Sequence, residues 1–327
     1  MRELKVSVGV WYLGATSDRF VKEGYRADRT MAERFKLAAS IPGVGGLEMH
    51  YPTEVTDANY RDLKKLADDL GMKIVQFCPH LWVDRKWQYG QFSNPDPRLR
   101  REALDLARRT TDIAAHMEAE IMVYWPAQDG YDYCFQADHR KRLDDLVSGL
   151  AEWADYNPQQ KVVVEYKAFE PRTHIMLPTI GHCMTVINEI NRPNLGINID
   201  MGHALIMKEN LAESISLCCR YGKLFHTHWN DNWKLFDDDI IVGAANLWET
   251  LEALFWLDEW GYSGWFGLDL FPYREPPEKA VEESIKNLKF GYELLERVPR
   301  QELYEVFQTS DAIKASQLMR QMLGGKA

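Results

Sequence analysis

Four stretches of the sequence carry an apolar run directly into side chains that can hold a cation or move a proton. Val162-Val163-Val164 leads into Glu165, with Lys167 two residues on, and Gly196-Ile197-Asn198-Ile199 leads into Asp200, with His203 three residues on. Leu224-Phe225-His226-Thr227-His228 puts two imidazoles at alternate positions, which share a face in an extended strand and can both reach its open end. The acidic triplet Asp237-Asp238-Asp239 follows, and in an extended loop Asp237 and Asp239 share a face too. Trp265-Phe266-Gly267-Leu268 leads into Asp269. Taken singly, each acid also reads as half of a surface ion pair or as a solvated loop residue. Together they read differently: if Glu165, Asp200, Asp237, Asp239 and Asp269 converge, each close pair of carboxylates costs about 3–4 kcal/mol at an effective dielectric near 20. Two divalent cations would nearly cancel that charge. A donor set rich in oxygen with a few imidazoles suits Mg²⁺, Mn²⁺ or Co²⁺ better than a structural zinc.

Convergence requires a scaffold that gathers side chains remote in sequence. Eight short β-branched runs, roughly Lys5–Trp11, Gly45–His50, Lys73–Phe77, Glu120–Trp125, Lys161–Glu165, Leu195–Asp200, Lys223–His228 and Trp265–Leu270, alternate with longer amphipathic stretches. One of these stretches, Pro97–Met117, repeats its apolar residues at helical spacing and starts on the Asp96-Pro97 signal. The alternation predicts an α/β fold, a (β/α)8 TIM barrel over residues 1–297, followed by a short C-terminal helical tail over 298–327. The runs close on Trp11, His50, Phe77, Trp125, Glu165, Asp200 and His228, with Asp269 one residue before the last end. Inward barrel layers are mostly branched and apolar, whereas C-terminal strand ends surround the active site, so this polar and aromatic set belongs at the mouth.

Composition narrows the function classes. A formal net charge of −10 without a basic block argues against a nucleic-acid partner. Five cysteines without zinc-ligand spacing suggest neither a disulfide framework nor a thiolate metal site and fit a reducing cytoplasm. No apolar signal core follows Met1 and no apolar run approaches membrane-spanning length, so neither secretion nor a membrane partner is expected. The many flat side chains, 11 Trp, 15 Tyr and 13 Phe, can fill a core and also wall a pocket for a small polar ligand.

From about Lys5 to Asp269 the ordered series of motifs resembles the xylose isomerase-like superfamily. Gly9-Val10-Trp11, Trp125-Pro126-Ala127-Gln128-Asp129-Gly130, Glu165-Tyr166-Lys167 with Glu170-Pro171-Arg172, Leu177-Pro178-Thr179-Ile180-Gly181-His182, Asp200-Met201-Gly202-His203 and Lys223-Leu224-Phe225-His226 read like xylose isomerases. The resemblance implies two divalent metal ions. Glu165, Asp200, His228 and Asp269 would hold the first, and His203, Asp237 and Asp239 the second, with Asp200 bridging. It also implies Lys167, His50 and Asp237 as catalytic groups, Lys167 on the carbonyl oxygen during a hydride shift and His50 in ring opening. Trp11, Trp82, Trp125, His50, Lys167 and His203 would contact a monosaccharide in a homodimer or homotetramer.

The chain departs from xylose isomerases in carrying the shorter acid at Asp200 and a histidine at 228, the latter closer to the rhamnose isomerase branch. Tyr51-Pro52-Thr53 follows His50, so the aspartate that orients the ring-opening histidine in that family is missing, and the long C-terminal arm is much reduced. The expected activity is metal-dependent aldose–ketose isomerisation of a free sugar by a 1,2-hydride shift. The alternative within the fold is a ketose 3-epimerase, which uses one metal and two glutamates, where this chain has Asp269 on its last strand. Metal-dependent hydrolysis or lyase chemistry and a non-catalytic sugar-binding barrel are the readings outside that pair.

Overall fold

A computed structural model describes residues 4–325 of the chain. The outer ends of the two expected segments, residues 1–3 and 326–327, lie outside that range. Eight strands close into a barrel in which every neighbouring pair is parallel. They are β1 (Val6–Gly9), β2 (Val44–Tyr51), β3 (Lys73–Pro79), β4 (Ile121–Tyr124), β5 (Lys161–Glu165), β6 (Leu195–Asp200), β7 (Leu224–Trp229) and β8 (Phe266–Leu268). Helices lie between the strands, so the expected (β/α)8 TIM barrel is the observed fold. No described helix is long and apolar enough to cross a membrane.

The strand periodicity sets two distinct interiors. One set of alternate positions, including Leu47, Met49, Val162, Val164, Ile197 and Ile199, belongs to the large apolar core shared with the helices. The opposite set faces the barrel axis. There Cys78, Ile121, Val123 and Val163 form a small apolar cluster. Ser7, Glu48, Gln76, Asn198, His226 and His228, all nearly or fully buried, take the remaining positions. This is a departure from the branched apolar layers usual in such barrels.

Helix starts follow local chemistry. Thr30 and Glu33 form a reciprocal capping box on α1 (Met31–Ser40). Beyond α2 (Tyr60–Asp69), Asp96 caps α3 (Pro97–His116), which has proline in its first turn, as the sequence predicts. The remaining helices of the barrel wall are α4 (His139–Tyr156), α5 (Ile180–Ile190), α6 (Met201–Ile206), α7 (Leu211–Arg220), α8 (Leu247–Glu259) and α9 (Pro277–Leu295). The tail is more ordered than its weak periodicity suggests. Its helices α10 (Arg300–Thr309) and α11 (Ala312–Met322) bury Leu318 and Met322 against Leu251, Leu294 and Val298.

Two differences from the sequence reading concern the mouth. β1 stops at Gly9, and Trp11 begins a 3-10 turn, Trp11–Leu13, rather than closing the strand. The loop after β4 also forms an unexpected antiparallel ribbon, Gly130–Tyr131 with His174–Ile175. Asp129 anchors that loop from a fully buried position. Its Oδ1 accepts from the Gln91 amide at 2.7 Å, the Ser93 amide at 2.9 Å and the Ser93 hydroxyl at 2.6 Å. Oδ2 accepts from the Phe92 amide and the Tyr124 hydroxyl. Replacing Asp129 by Ala strands these donors in a dry site, so D129A is expected to lose about 2–4 kcal/mol of stability. The urea midpoint measures this, and a wild-type midpoint would refute the anchoring role.

Candidate metal centre

The C-terminal strand ends open into a cavity of about 610 Å³. His50, Glu165, Lys167, His203, His228, Asp237, Asp239 and Asp269 line it, together with Trp11, Trp82 and Trp125. Asp200 is fully buried beneath this surface. Every site residue inferred from sequence therefore reaches the mouth or its floor.

Glu165, Asp200, His228 and Asp269 form one cluster whose ligand atoms all lie within 4.8 Å of one another. β5, β6 and β7 end on or next to the first three, and Asp269 directly follows β8. Parallel pairing in register sets Asp200 opposite His228 and Asn198 opposite Glu165. The Asn198 amide donates to Glu165 Oε2 at 2.8 Å, and the Asn230 amide donates to Asp200 Oδ2 at 3.0 Å. His228 Nδ1 points at Glu165 Oε2 at 3.1 Å and Asp269 Oδ2 at 3.4 Å. It is nevertheless a buried atom without a hydrogen-bond partner, as is Asp269 Oδ1. A lone-pair donor facing carboxylate oxygens outside hydrogen-bonding geometry is the arrangement a cation satisfies.

The second expected set is only partly assembled. Asp200 caps the short helix α6, accepting from the His203 amide at 2.9 Å, and so ties strand end to imidazole. The His203 ring is fixed from both sides, Nδ1 on the Tyr166 carbonyl at 2.9 Å and Nε2 on Asp237 Oδ2 at 3.2 Å. Asp237 Oδ1 is buried without a partner. Asp239 is buried beside them in a left-handed conformation, φ 46°. It does not join His203 and Asp237 in a three-residue ligand cluster among the described residues. The loop carrying both aspartates is pinned at its base by Asp231, which accepts from the Ala245 and Asn246 amides at 2.8 and 2.9 Å.

Electrostatics match a site built for positive charge. Burial pushes the Asp200 carboxyl up to about 6, with Asp237, Glu165 and Asp269 adding to the effect against His203. Burial, with Asp237, Asp269 and Asp200 adding to it against Lys167, holds the Asp239 carboxyl well above the usual range. Burial opposes protonation of His203 and His228, yet adjacent carboxylates raise both, His203 up to about 9. Lys167 Nζ donates to Asp237 Oδ2 and Glu170 Oε2, both at 2.7 Å, and these acids overcome burial to keep it charged.

Sequence reasoning left His50 without an orienting acid. Glu54 takes that place from the loop after β2: its Oε2 lies 3.0 Å from His50 Nδ1 and accepts from the His50 amide at 2.8 Å. Two imidazole and two indole rings wall this side, His80 at 5.0 Å from His50 and Trp82 at 4.7 Å from Trp125. His226 needs the opposite correction. It does share the inward face with His228, but it lies a layer below the mouth, fully buried, with Nε2 3.1 Å from Glu48. Glu48 itself was missed, although it stands two residues before His50 inside an apolar strand, where alternation turns it toward the axis.

A parallel eight-stranded barrel with carboxylates and imidazoles gathered at its C-terminal rim defines a class of α/β barrels with a metal-competent mouth. Residues 35–290 match the family described as xylose isomerase-like TIM barrel, and the chain belongs to it. Over 236 residues it is 30% identical to the xylose isomerase of Thermus thermophilus, a match covering 70% of this chain and 61% of that one, less than two thirds of the relative's length. Similar folds include a D-tagatose 3-epimerase-like protein, 20% identical at a TM-score of 0.67 over 90% of this chain and 98% of the other. Another is the D-allulose 3-epimerase of Methylomonas sp., 14% identical at 0.67 over 89% and 96%. At those identities the likeness is one of fold.

Protonated groups in the cluster must release protons to a cation, so binding and pH are linked. Groups with raised values hold their protons at lower pH, and a cation competes with those protons. Mn²⁺ affinity is therefore expected to climb from pH 6, where Asp200 titrates, toward pH 9, where His203 does. Calorimetric titration with Mn²⁺ across that span measures it, and a flat affinity would contradict this account of the cluster.

Proposed function

We propose that the protein is a divalent-metal-dependent aldose–ketose isomerase of free monosaccharides, holding two ions of Mn²⁺, Mg²⁺ or Co²⁺. The observation that carries this reading is the placement of Lys167 Nζ, buried in the cavity wall, 2.7 Å from Asp237 and 5.5 Å from the Trp125 ring centre. Isomerisation needs a fixed cation where negative charge develops on the carbonyl oxygen, and a preorganised ammonium in a dry pocket supplies it. Glu165, Asp200, His228 and Asp269 would hold the first ion, and His203, Asp237 and Asp239, together with Asp200, the second. Bound there, a divalent cation supplies Lewis acidity for the hydroxyl and carbonyl oxygens of the sugar.

The residues of the chain divide the remaining work. His50, braced by Glu54, exchanges a proton with the ring oxygen and anomeric hydroxyl to open the sugar. Trp11, Trp82 and Trp125 cover the C–H faces of the open chain and exclude water, so hydrogen leaves carbon-2 with its electron pair and reaches carbon-1 without exchange. Asp237, between Lys167 and His203, accepts the proton leaving O2 and returns it to O1. The lining holds Glu54, Glu165, Glu170, Asp237, Asp239 and Asp269 against the single ammonium of Lys167, which favours a neutral sugar over a phosphorylated one. Five cysteines without disulfides suit a cytoplasmic setting.

The second reading, a ketose 3-epimerase, draws on one specific observation: the only cluster of four ligands within bonding reach of a single cation, among the described residues, is Glu165, Asp200, His228 and Asp269. A one-metal proton-transfer reaction needs no more than that.

A screen of free aldoses and ketoses after chelator stripping tests both readings. Activity is expected to vanish on stripping and return with Mn²⁺, Co²⁺ or Mg²⁺. In D₂O the isomerase retains the transferred hydrogen, whereas solvent deuterium on carbon in the product would establish the epimerase instead. Replacing Lys167 with Met is expected to lower kcat by about 10²–10³-fold while leaving Mn²⁺ affinity in the wild-type range. Full activity in K167M would remove the main support for isomerisation.

A further inference from the structure

Beneath the rim, the barrel axis holds a buried carboxylate that no role at the mouth accounts for. Glu48, on β2, is 1% exposed. Its Oε2 stands 2.8 Å from His228 Nε2, while Oε1 receives the Ser7 hydroxyl at 2.5 Å and stands 3.1 Å from His226 Nε2. Gln76 Oε1, on β3, is also 2.8 Å from His228 Nε2. Both partners of that nitrogen are acceptors, so Nε2 carries a proton and the opposite nitrogen, Nδ1, is the one turned toward Glu165 and Asp269.

We propose that Glu48 and Gln76 are positioning residues for the metal centre, anchoring the Nε2 proton of His228 so that Nδ1 presents its lone pair to the cation. A carboxylate behind an imidazole also strengthens the donor nitrogen in front. The placement is enforced by the backbone. Gly267 of β8 leaves room for the array, since a Cβ there would lie 2.5 Å from Glu48 Oε1 and 2.8 Å from His228 Cδ2. Ser7 and His226 donate to the same carboxylate, so it is fully partnered and held in one orientation. A carboxylate kept only for fold stability would not need its second oxygen on the ring of a cluster histidine.

The inference rests on His228 being a metal ligand, and the test separates the two ideas. Mn²⁺ dissociation constants are measured by calorimetry for wild type, H228N, E48Q and Q76L, with urea midpoints of the metal-free proteins alongside. E48Q is expected to weaken Mn²⁺ binding by about 10–100-fold, and Q76L by less in the same direction. Loss of midpoint in E48Q with a dissociation constant within about twofold of wild type would show a purely structural Glu48 and overturn the proposal. If E48Q does not fold, Q76L decides, and an unchanged Mn²⁺ constant there overturns it. An H228N protein that binds Mn²⁺ like wild type would instead strike down the metal-ligand assignment itself.

Discussion

Everything at the mouth of this barrel answers to the cost of crowding carboxylates where water is scarce. Glu165, Asp200, Asp237, Asp239 and Asp269 line or underlie one cavity, and two of them, Asp200 and Asp239, are driven toward the neutral acid by burial and by neighbouring carboxylates such as Asp237 and Asp269. Such charge is tolerable only with positive or hydrogen-bonding compensation. The protein supplies part of it with Lys167, His203, His228 and the amides of Asn198 and Asn230. The residue of the imbalance shows in buried atoms left without partners, His228 Nδ1, Asp237 Oδ1 and Asp269 Oδ1. Unpartnered carboxylate and imidazole atoms gathered around one cavity are groups that a cation would satisfy.

That constraint reaches down the barrel axis. A layer that would ordinarily interlock branched apolar side chains carries Ser7, Glu48, Gln76, Asn198 and His226 instead. These groups give up hydrophobic packing, and in exchange they hold the rim ligands in fixed orientations. An apolar cluster on the β3, β4 and β5 side, Cys78, Ile121, Val123 and Val163, packs with Trp82 and Trp125. One side of the barrel thus orients ligands, and the other builds the aromatic wall. Asp129 and Asp231 do comparable work outside the axis, each using one buried carboxylate to fix a loop that carries pocket residues.

Membership of the xylose isomerase-like family fixes the scaffold, and similar folds include proteins that carry the names of epimerases. The barrel alone does not choose between such reactions. The discriminating features are local: where the ammonium of Lys167 sits, which acid stands on the eighth strand, and whether His203, Asp237 and Asp239 act with Asp200 as a second set.

The sequence by itself determined the eight strands, their order around a parallel barrel and the side chains at their ends, because strand periodicity and the βα alternation are local properties of the chain. Glu165 and Asp200 stood out there as acids closing apolar runs, and their strand boundaries are those the sequence predicts. Trp11 was misplaced by a turn because its run of apolar residues does not reveal where pairing with β2 and β8 ends. The partnership of His50 with Glu54, the layer occupied by His226 and the hold of Glu48 on His228 were decided only by tertiary structure. The first depends on the path of the loop after β2, and the others on barrel stagger, which brings together groups up to 180 residues apart.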